Sequence, residues 1–439
     1  MIKRVGSTGI ILSGTILSAF AAVPGRHSSA PNILICIADD ASFPHIGNGC
    51  EWINTPAFDR VAEEGIYFTQ AYTPNAKSAP SRACILTGRN SWQLQDAANQ
   101  FSYFPAGFKT YPEVLMDNGY FVGYTGKGWL PGNPGTINGK KRELLGHEWS
   151  AVKTDPPTKA MSQIDYAANF IEFYHNKPDR MPFCFWYGSH EPHRRYVYGS
   201  SLAAGRKVSE VDNVPEFLPD NEVVRTDLLD YGLEIEYYDY HLGRILKFLE
   251  EQGELDNTIV IATADNGMSF PRAKSDAYEY SNHIPLAIMW KNGIRSPGRK
   301  ANDPVSFIDL APTIIDLAGI RWEQSNMEPT PGKSLKPILE NRSRHRPLRE
   351  YVLIGKERHG VGRPDDRGYP IRGIIRDGWL LVVNYANDLW PLGNPETGYP
   401  DVDGSPSKTE VLKLKNDSVG KIYWEKTFEK RPDCELYHI

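Results

Sequence analysis

The run Asn32-Ile33-Leu34-Ile35-Cys36-Ile37-Ala38 is almost unbroken in its apolar character and stops at Asp39-Asp40. Without polar alternation, such a run predicts a strand buried on both faces that delivers two carboxylates at its C-terminal end. Comparable runs at Ile66 to Tyr72, Tyr120 to Thr125, Pro182 to Tyr187, Thr258 to Ala264 and Pro285 to Trp290 predict further buried strands. Between them, apolar residues recur at helical spacing over Pro56 to Glu64, Tyr111 to Asn118, Ala160 to Tyr174 and the long Arg225 to Gln252. Strands alternating with helices predict an α/β layered domain around a mostly parallel sheet, with ligands bound beyond the C-terminal strand ends.

The pattern changes after Gly319. Arg321 to Arg346 is rich in proline and polar residues and reads as linker and loop. Short strand-like pieces follow at Tyr351 to Ile354, Ile371 to Arg376 and Trp379 to Asn384. These predict a smaller antiparallel companion, so the division expected is a large domain over 31–345 and a subdomain over 346–439. The final residues Glu435-Leu436-Tyr437-His438-Ile439 read as part of an element. No internal repeat or low-complexity segment interrupts the chain.

At its start, Lys3 and Arg4 precede an apolar stretch from Ile10 to Val23, and Ala19-Phe20-Ala21 supplies small residues for cleavage. This predicts a signal peptide over 1–23 and export to a periplasm or extracellular space. A membrane anchor fits less well, because Gly14 and Ser18 break the stretch. A hydrophobic share of 40% and a charged share of 23% exclude disorder over most of the length. The net charge of −5 leaves no footprint for nucleic acid, so attraction of an anion requires a locally basic pocket. Cys36, Cys50, Cys84, Cys184 and Cys434 show no metal-type spacing. Cys36, Cys84 and Cys184 read as small core residues, and a bridge between the others has no support. The sequence does not set the oligomeric state.

Chemistry is concentrated at three places. Adjacent carboxylates such as Asp39-Asp40 repel by about 3 kcal/mol at ~5 Å and an effective dielectric near ~20, so a buried pair wants a cation. Asp265-Asn266-Gly267 ends the Thr258 to Ala264 run in the same manner. Three carboxylates and an amide oxygen make a hard, all-oxygen set that suits calcium, or less well magnesium, rather than zinc. Either pair alone also fits a helix cap or a turn. The third place is Ser78-Ala79-Pro80-Ser81-Arg82-Ala83-Cys84-Ile85-Leu86-Thr87-Gly88. Pro80 suits the first turn of a helix, which sets Ser78 just ahead of an N-terminus that favours anions. Arg82 follows one turn later, able to fork onto a bound anion or to hold the nucleophile in place. Physically, this is a nucleophile at an anion-binding helix start, or an ordinary capped helix.

Ser-x-Pro-Ser-Arg followed by Leu-Thr-Gly closely resembles the signature of type I sulfatases, in which the first position, Cys or Ser, is oxidised to formylglycine. The resemblance runs from Pro31 nearly to the end and implies the alkaline-phosphatase-like fold. It also implies that Asp39, Asp40, Asp265 and Asn266 ligate calcium, with residue 78 completing the shell. Gly126-Lys127 resembles the family's Gly-Lys motif, Ser189-His190-Glu191-Pro192-His193 its histidine loop, and Lys274 the basic residue beyond Asp-Asn-Gly. Formylglycine formed from Ser78 by a sulfatase-maturating enzyme would hydrate to a gem-diol. One hydroxyl attacks sulfur while His190 or a neighbour protonates the departing atom, and the other then expels sulfate. Calcium with Arg82, Lys127 and Lys274 would neutralise the sulfate oxygens. One position departs from the pattern: Trp129 stands where the family commonly has a histidine, so the base assisting sulfate release passes to His190, His193 or Asp265.

Asp265-Asn266-Gly267-Met268-Ser269-Phe270-Pro271-Arg272-Ala273-Lys274, His190-Glu191-Pro192-His193-Arg194 and the Ser78 segment look like the heparan N-sulfatase branch. That branch implies a sulfated oligosaccharide substrate, with the N-sulfate of glucosamine as the group removed. His193 and His359 are the expected substrate-binding histidines, and Gly355-Lys356-Glu357-Arg358-His359-Gly360 offers Lys356, Arg358 or His359 to an anionic sugar. The alternatives are an O-sulfatase acting on a sugar, a phosphoesterase of the same fold, and an idle carbohydrate-binding relative.

Overall fold

The computed structural model describes residues 30–439 apart from 48, 343–346, 359, 361 and 362. The expected signal peptide over 1–23 and His359 therefore lie outside the described residues.

The six apolar runs supply the six inner strands of an eight-stranded sheet, edged by two strands the runs did not mark, in the spatial order Arg299–Ala301, Ile66–Phe68, Leu286–Met289, Thr258–Ala264, Asn32–Ala38, Phe183–Gly188, Phe121–Gly126, His147–Glu148. Neighbours run parallel except on either side of Leu286–Met289, which is antiparallel to both. The run Ile66 to Tyr72 does not form one strand. It breaks at Thr69-Gln70, and Ala71–Tyr72 pairs separately with Val305–Ser306.

Register is what positions the site. Ala38 lies opposite Ala264, Ile37 opposite Gly188, and Gly188 opposite Gly126. Four strands therefore end within one residue of the same level, and the residues that follow (Asp39, Asp265, Ser189 and Lys127) emerge along a single edge. The two central strands are buried along their whole length, as lack of alternation predicts for a sheet covered on both faces.

The helix Glu222–Glu251 buries Leu228, Leu229, Tyr231, Ile235, Tyr238, Leu242, Ile245 and Leu249, a stripe at three- and four-residue spacing. Asn221 caps it, accepting from Val224 N at 3.0 Å. Asp239 on this helix accepts from Ala57 N and Phe58 N, both at 2.8 Å, and so fixes the start of helix Pro56–Glu63. The helix expected from Ala160 begins only at Tyr166, because Asp165 caps it by accepting from Ala168 N at 2.9 Å.

Beyond residue 346, Val352–Lys356, Ile371–Arg376, Trp379–Asn384 and Cys434–His438 form a four-stranded antiparallel sheet. Its inner face, including Val352, Ile354, Ile371, Leu380 and Val382, packs on Tyr72, Ala277 and Tyr278. Helices Pro406–Lys413 and Lys421–Phe428 return to the larger core, where they bury Val411, Trp424 and Phe428. All five cysteines are free thiols, with Cys36, Cys84 and Cys184 buried. Among the described residues, no helix is long and apolar enough to cross a membrane.

Candidate active site and metal centre

In an extended strand, consecutive side chains point to opposite faces. At Asp40 the backbone takes a left-handed φ of 75°, and this turn lets both strand-end carboxylates face one centre. Oxygens of Asp39, Asp40 and Asp265 lie within 4.8 Å of one another, all in buried side chains. Asp265 Oδ1 is held by Asp40 N at 3.0 Å and Asn266 N at 2.8 Å. Asn266 donates from Nδ2 to Asp40 Oδ1 at 2.8 Å and turns its amide oxygen to 3.4 Å from Ser78 Oγ. The Asp-Asn-Gly triplet needs its glycine because a Cβ at Gly267 would sit 1.8 Å from Tyr280 O.

Ser78 is the first residue of helix Ser78–Thr87 and is 1% exposed. Its hydroxyl donates to Asp39 Oδ1 at 2.9 Å and accepts from Lys127 Nζ at 3.0 Å. Ser81, one turn along, ties the helix to the neighbouring strand end by donating to Asp265 O at 2.5 Å. Lys127 also donates to Asp39 Oδ2 at 2.5 Å. The Gly-Lys motif has a steric cause: Gly126 has φ 72°, and a Cβ there would lie 2.1 Å from Gly188 O.

Among the described residues Arg82 makes no hydrogen bond to Ser78; its partners are the ends of the neighbouring strands. The side chain is fully buried and donates from Nε to Asp265 Oδ2 at 2.8 Å and from Nη1 to Lys127 O at 2.7 Å. It clamps two strand ends together behind the carboxylates rather than facing the cavity. Lys274 reaches the same centre from the other side, 2.6 Å from Asp40 Oδ2 and 3.0 Å from Asp403 Oδ2. Burial opposes its charge, but Asp40, Asp403 and Asp39 outweigh burial and hold the ammonium protonated.

Burial by itself raises the Asp39 carboxyl. The nearby Lys127, His193, Arg82 and Lys274 together overcome that and hold it well below the usual range. Asp265 moves the other way, up to about 6, through burial and the like charge of Asp39. A cluster that cannot keep all its carboxylates comfortably ionised is one that a divalent cation stabilises. The donors fit such an ion, being all oxygen, buried and convergent, with the Asn266 amide oxygen and residue 78 beside them.

The centre opens into a cavity of about 710 Å³. His190 and His193 line it. Burial lowers the His190 pKa to about 4, so its ring is neutral at ordinary pH. His193 Nδ1 is 2.6 Å from Arg194 O, and its Nε2 stands 3.9 Å from Asp40 Oδ2. Trp129 does not line this cavity. Its indole N–H donates to Ala79 O at 2.8 Å and braces the first turn of the Ser78 helix. Lys356 is not available to a ligand either, since it is buried and donates to Ser275 O at 2.6 Å and Pro391 O at 3.2 Å. Burial pushes its pKa down to about 8. Arg358 is half-buried, its backbone N–H on Asn99 Oδ1 at 3.1 Å.

Sequence reasoning missed Asp403, Lys77 and Glu234, all in the cavity wall. Lys77 directly precedes Ser78 in the chain, so its place beside that residue is a local signal. Asp403 and Glu234 come from distant segments that carry no local signal.

A family model described as Sulfatase matches residues 31–320. The chain is similar to an N-acetylglucosamine-6-O-sulfatase of Bacteroides thetaiotaomicron, 26% identical over 422 residues, covering 75% of this chain and 74% of the relative. It is also similar to the human N-sulphoglucosamine sulphohydrolase, 26% identical over 383 residues, covering 80% of this chain and 73% of the relative. Among solved structures, one described as a complex with its substrate D-glucosamine-2-N,6-O-disulfate superposes with a TM-score of 0.63 at 21% identity, covering 92% of this chain and 100% of that one.

Proposed function

The chain belongs to the sulfatase family, and on that basis we propose that it removes sulfate from a sulfated glycan, with the N-sulfate of glucosamine in heparan-type fragments as its target. The observation that carries this is the convergence on Ser78 Oγ of Asp39, Asn266 and Lys127 at 2.9, 3.4 and 3.0 Å. It is a nucleophile position shared between a cation site and a lysine.

Asp39, Asp40, Asp265 and Asn266 are the residues that would hold calcium, which when bound polarises the sulfate oxygens and lowers the charge an incoming nucleophile must overcome. Oxidised to formylglycine, residue 78 supplies a hydrated aldehyde whose second hydroxyl allows sulfate to be released. Because Ser78 is 1% exposed, the maturating enzyme has to reach it before the chain closes. Signal-peptide export after that step fits the pattern of residues 1–23.

Lys127, fixed between Asp39 and residue 78, holds the nucleophile and receives charge building on the sulfate. Lys274 does the same from the Asp40 side. Protonation of the departing atom falls to a histidine of the Ser189 to His193 loop: His190 and His193 both line the cavity, and His193 is oriented by Arg194 O, with Nε2 3.9 Å from Asp40 Oδ2. A nitrogen leaving group needs that proton more urgently than an oxygen one. Removal of a 6-O-sulfate is the second reading, supported by the likeness to the N-acetylglucosamine-6-O-sulfatase.

The test is sulfate release by matured enzyme from N-sulfoglucosamine and from glucosamine 3- and 6-sulfates. Release from the N-sulfate is expected. Release confined to an O-sulfate would replace the first reading with the second, and no release from any would reject both.

A further inference from the structure

Glu234 lies in the middle of helix Glu222–Glu251, is 2% exposed, and faces the active-site cavity. The other carboxylates of that wall have protein partners: Asp39 has Lys127, Asp403 has Lys274, and Glu191 accepts from Ser189 Oγ, Ser162 N and Tyr166 OH at 2.6, 2.7 and 2.9 Å. Among the described residues, Glu234 makes neither a hydrogen bond nor an ion pair. Its charged neighbours are Glu191 and Asp230, which repel its ionised form, and Arg194. Arg194 is already committed, with Nη1 and Nη2 on Asp227 at 2.7 and 2.8 Å and Nε on Ser269 O at 2.8 Å.

Burial first, then Glu191 and Asp230, push the Glu234 carboxyl well above its ordinary range. A neutral carboxyl offers one donor and one acceptor, and burying such groups unmet is unfavourable. Nothing in helix geometry asks for a glutamate there, and the cavity is the side from which a partner can come. The cavity that Glu234 lines is the one that opens from the metal centre, so a sugar held there by its sulfate occupies the space that this carboxyl faces.

Resting on the sulfatase reading above, we propose that Glu234 is a specificity-determining residue that hydrogen-bonds an uncharged hydroxyl of the sugar carrying the scissile sulfate. The experiment compares wild type, Glu234→Gln and Glu234→Ala on N-sulfoglucosamine and glucosamine-6-sulfate, with 4-nitrophenyl sulfate, which has no sugar hydroxyls, as the reference. For Glu234→Ala the KM on the hydrolysed sugar should rise about tenfold with kcat changed less than about threefold, the signature of lost ground-state binding. Glu234→Gln, which keeps a donor and an acceptor, should stay within about threefold of wild type. All three should treat 4-nitrophenyl sulfate alike. An unchanged KM in Glu234→Ala, or equal losses on sugar and aryl substrates, would overturn the inference while leaving the sulfatase reading intact. Wild-type hydrolysis of neither sugar would reject the glycan substrate, and this inference with it. Inactivity on the aryl sulfate as well would reject the sulfatase reading itself.

Discussion

Arg82 shows how a signature residue can be legible in type and yet not in task. Its spacing from Ser78 was plain in the sequence. Its complete burial depends on the Phe121–Gly126 strand end and on Asp265, neither of which is near it in the chain. Arg82→Met should leave Asp265 buried without its cation and cost about 3 kcal/mol of stability, measured by urea unfolding of the calcium-free protein. Lys127→Ala removes a group beside the nucleophile, so it should lower kcat by roughly 100-fold or more with a smaller stability change. The same contrast explains what sequence could reach. Asp39-Asp40, Ser78 and Asp265-Asn266 were readable because each ends or begins an element. Glu234 and Asp403 were not, because only tertiary packing brings them to the wall, and Trp129 looked like a lost catalytic group when it is a brace on Ala79 O.

At the scale of elements, unbroken apolar runs marked the central strands well, since a strand covered on both faces has no alternation to disguise it. The misjudged starts have local causes: Asp165 takes the cap of helix Tyr166–Asn176, and the Thr69-Gln70 break splits the Ile66 run. The long helix also carries a titratable load. His241, buried between Tyr166 and Tyr237, is lowered to about 4 by burial, and His45 likewise. Between about 4 and the ordinary histidine value near ~6.5, the unfolded chain binds protons that the folded chain refuses, so these groups make stability rise with pH across that window. Their contribution is complete above about 6.5 and lost as pH falls toward 4. Asp239, raised to about 7, and Asp265, raised to about 6, act with the opposite sign, so the histidine share is read as a difference: the slope of thermal melting from pH 4 to 7 should be less positive in His241→Gln than in wild type. An unchanged slope would mean that other groups control acid unfolding.

For the whole molecule, the C-terminal segments complete the site rather than decorate it. Asp227 on the long helix accepts from Arg194 at 2.7 and 2.8 Å and from Ser407 Oγ at 2.6 Å, joining the histidine loop to helix Pro406–Lys413. Asp227→Ala should therefore lower the melting temperature and raise KM together, read by calorimetry and steady-state kinetics on one preparation. Net charge of −5 says little about the cavity wall, where Lys77, Lys127, Arg194, Arg195 and Lys274 are interleaved with Asp39, Glu191, Glu234 and Asp403 rather than forming a uniformly basic surface. Chelation should lower both melting temperature and activity. Calcium at about 100 times its Kd should restore about 2.7 kcal/mol, and magnesium less at equal concentration.

The central claim is that the tips of two neighbouring strands and residue 78 share one divalent ion. Anomalous diffraction from crystals of the matured protein grown with calcium tests it most directly. A single strong peak is expected, bonded to oxygens of Asp39, Asp40, Asp265 and Asn266 at about 2.3–2.6 Å, with residue 78 in its shell. No peak there at saturating calcium, in crystals of protein that still releases sulfate, would contradict it.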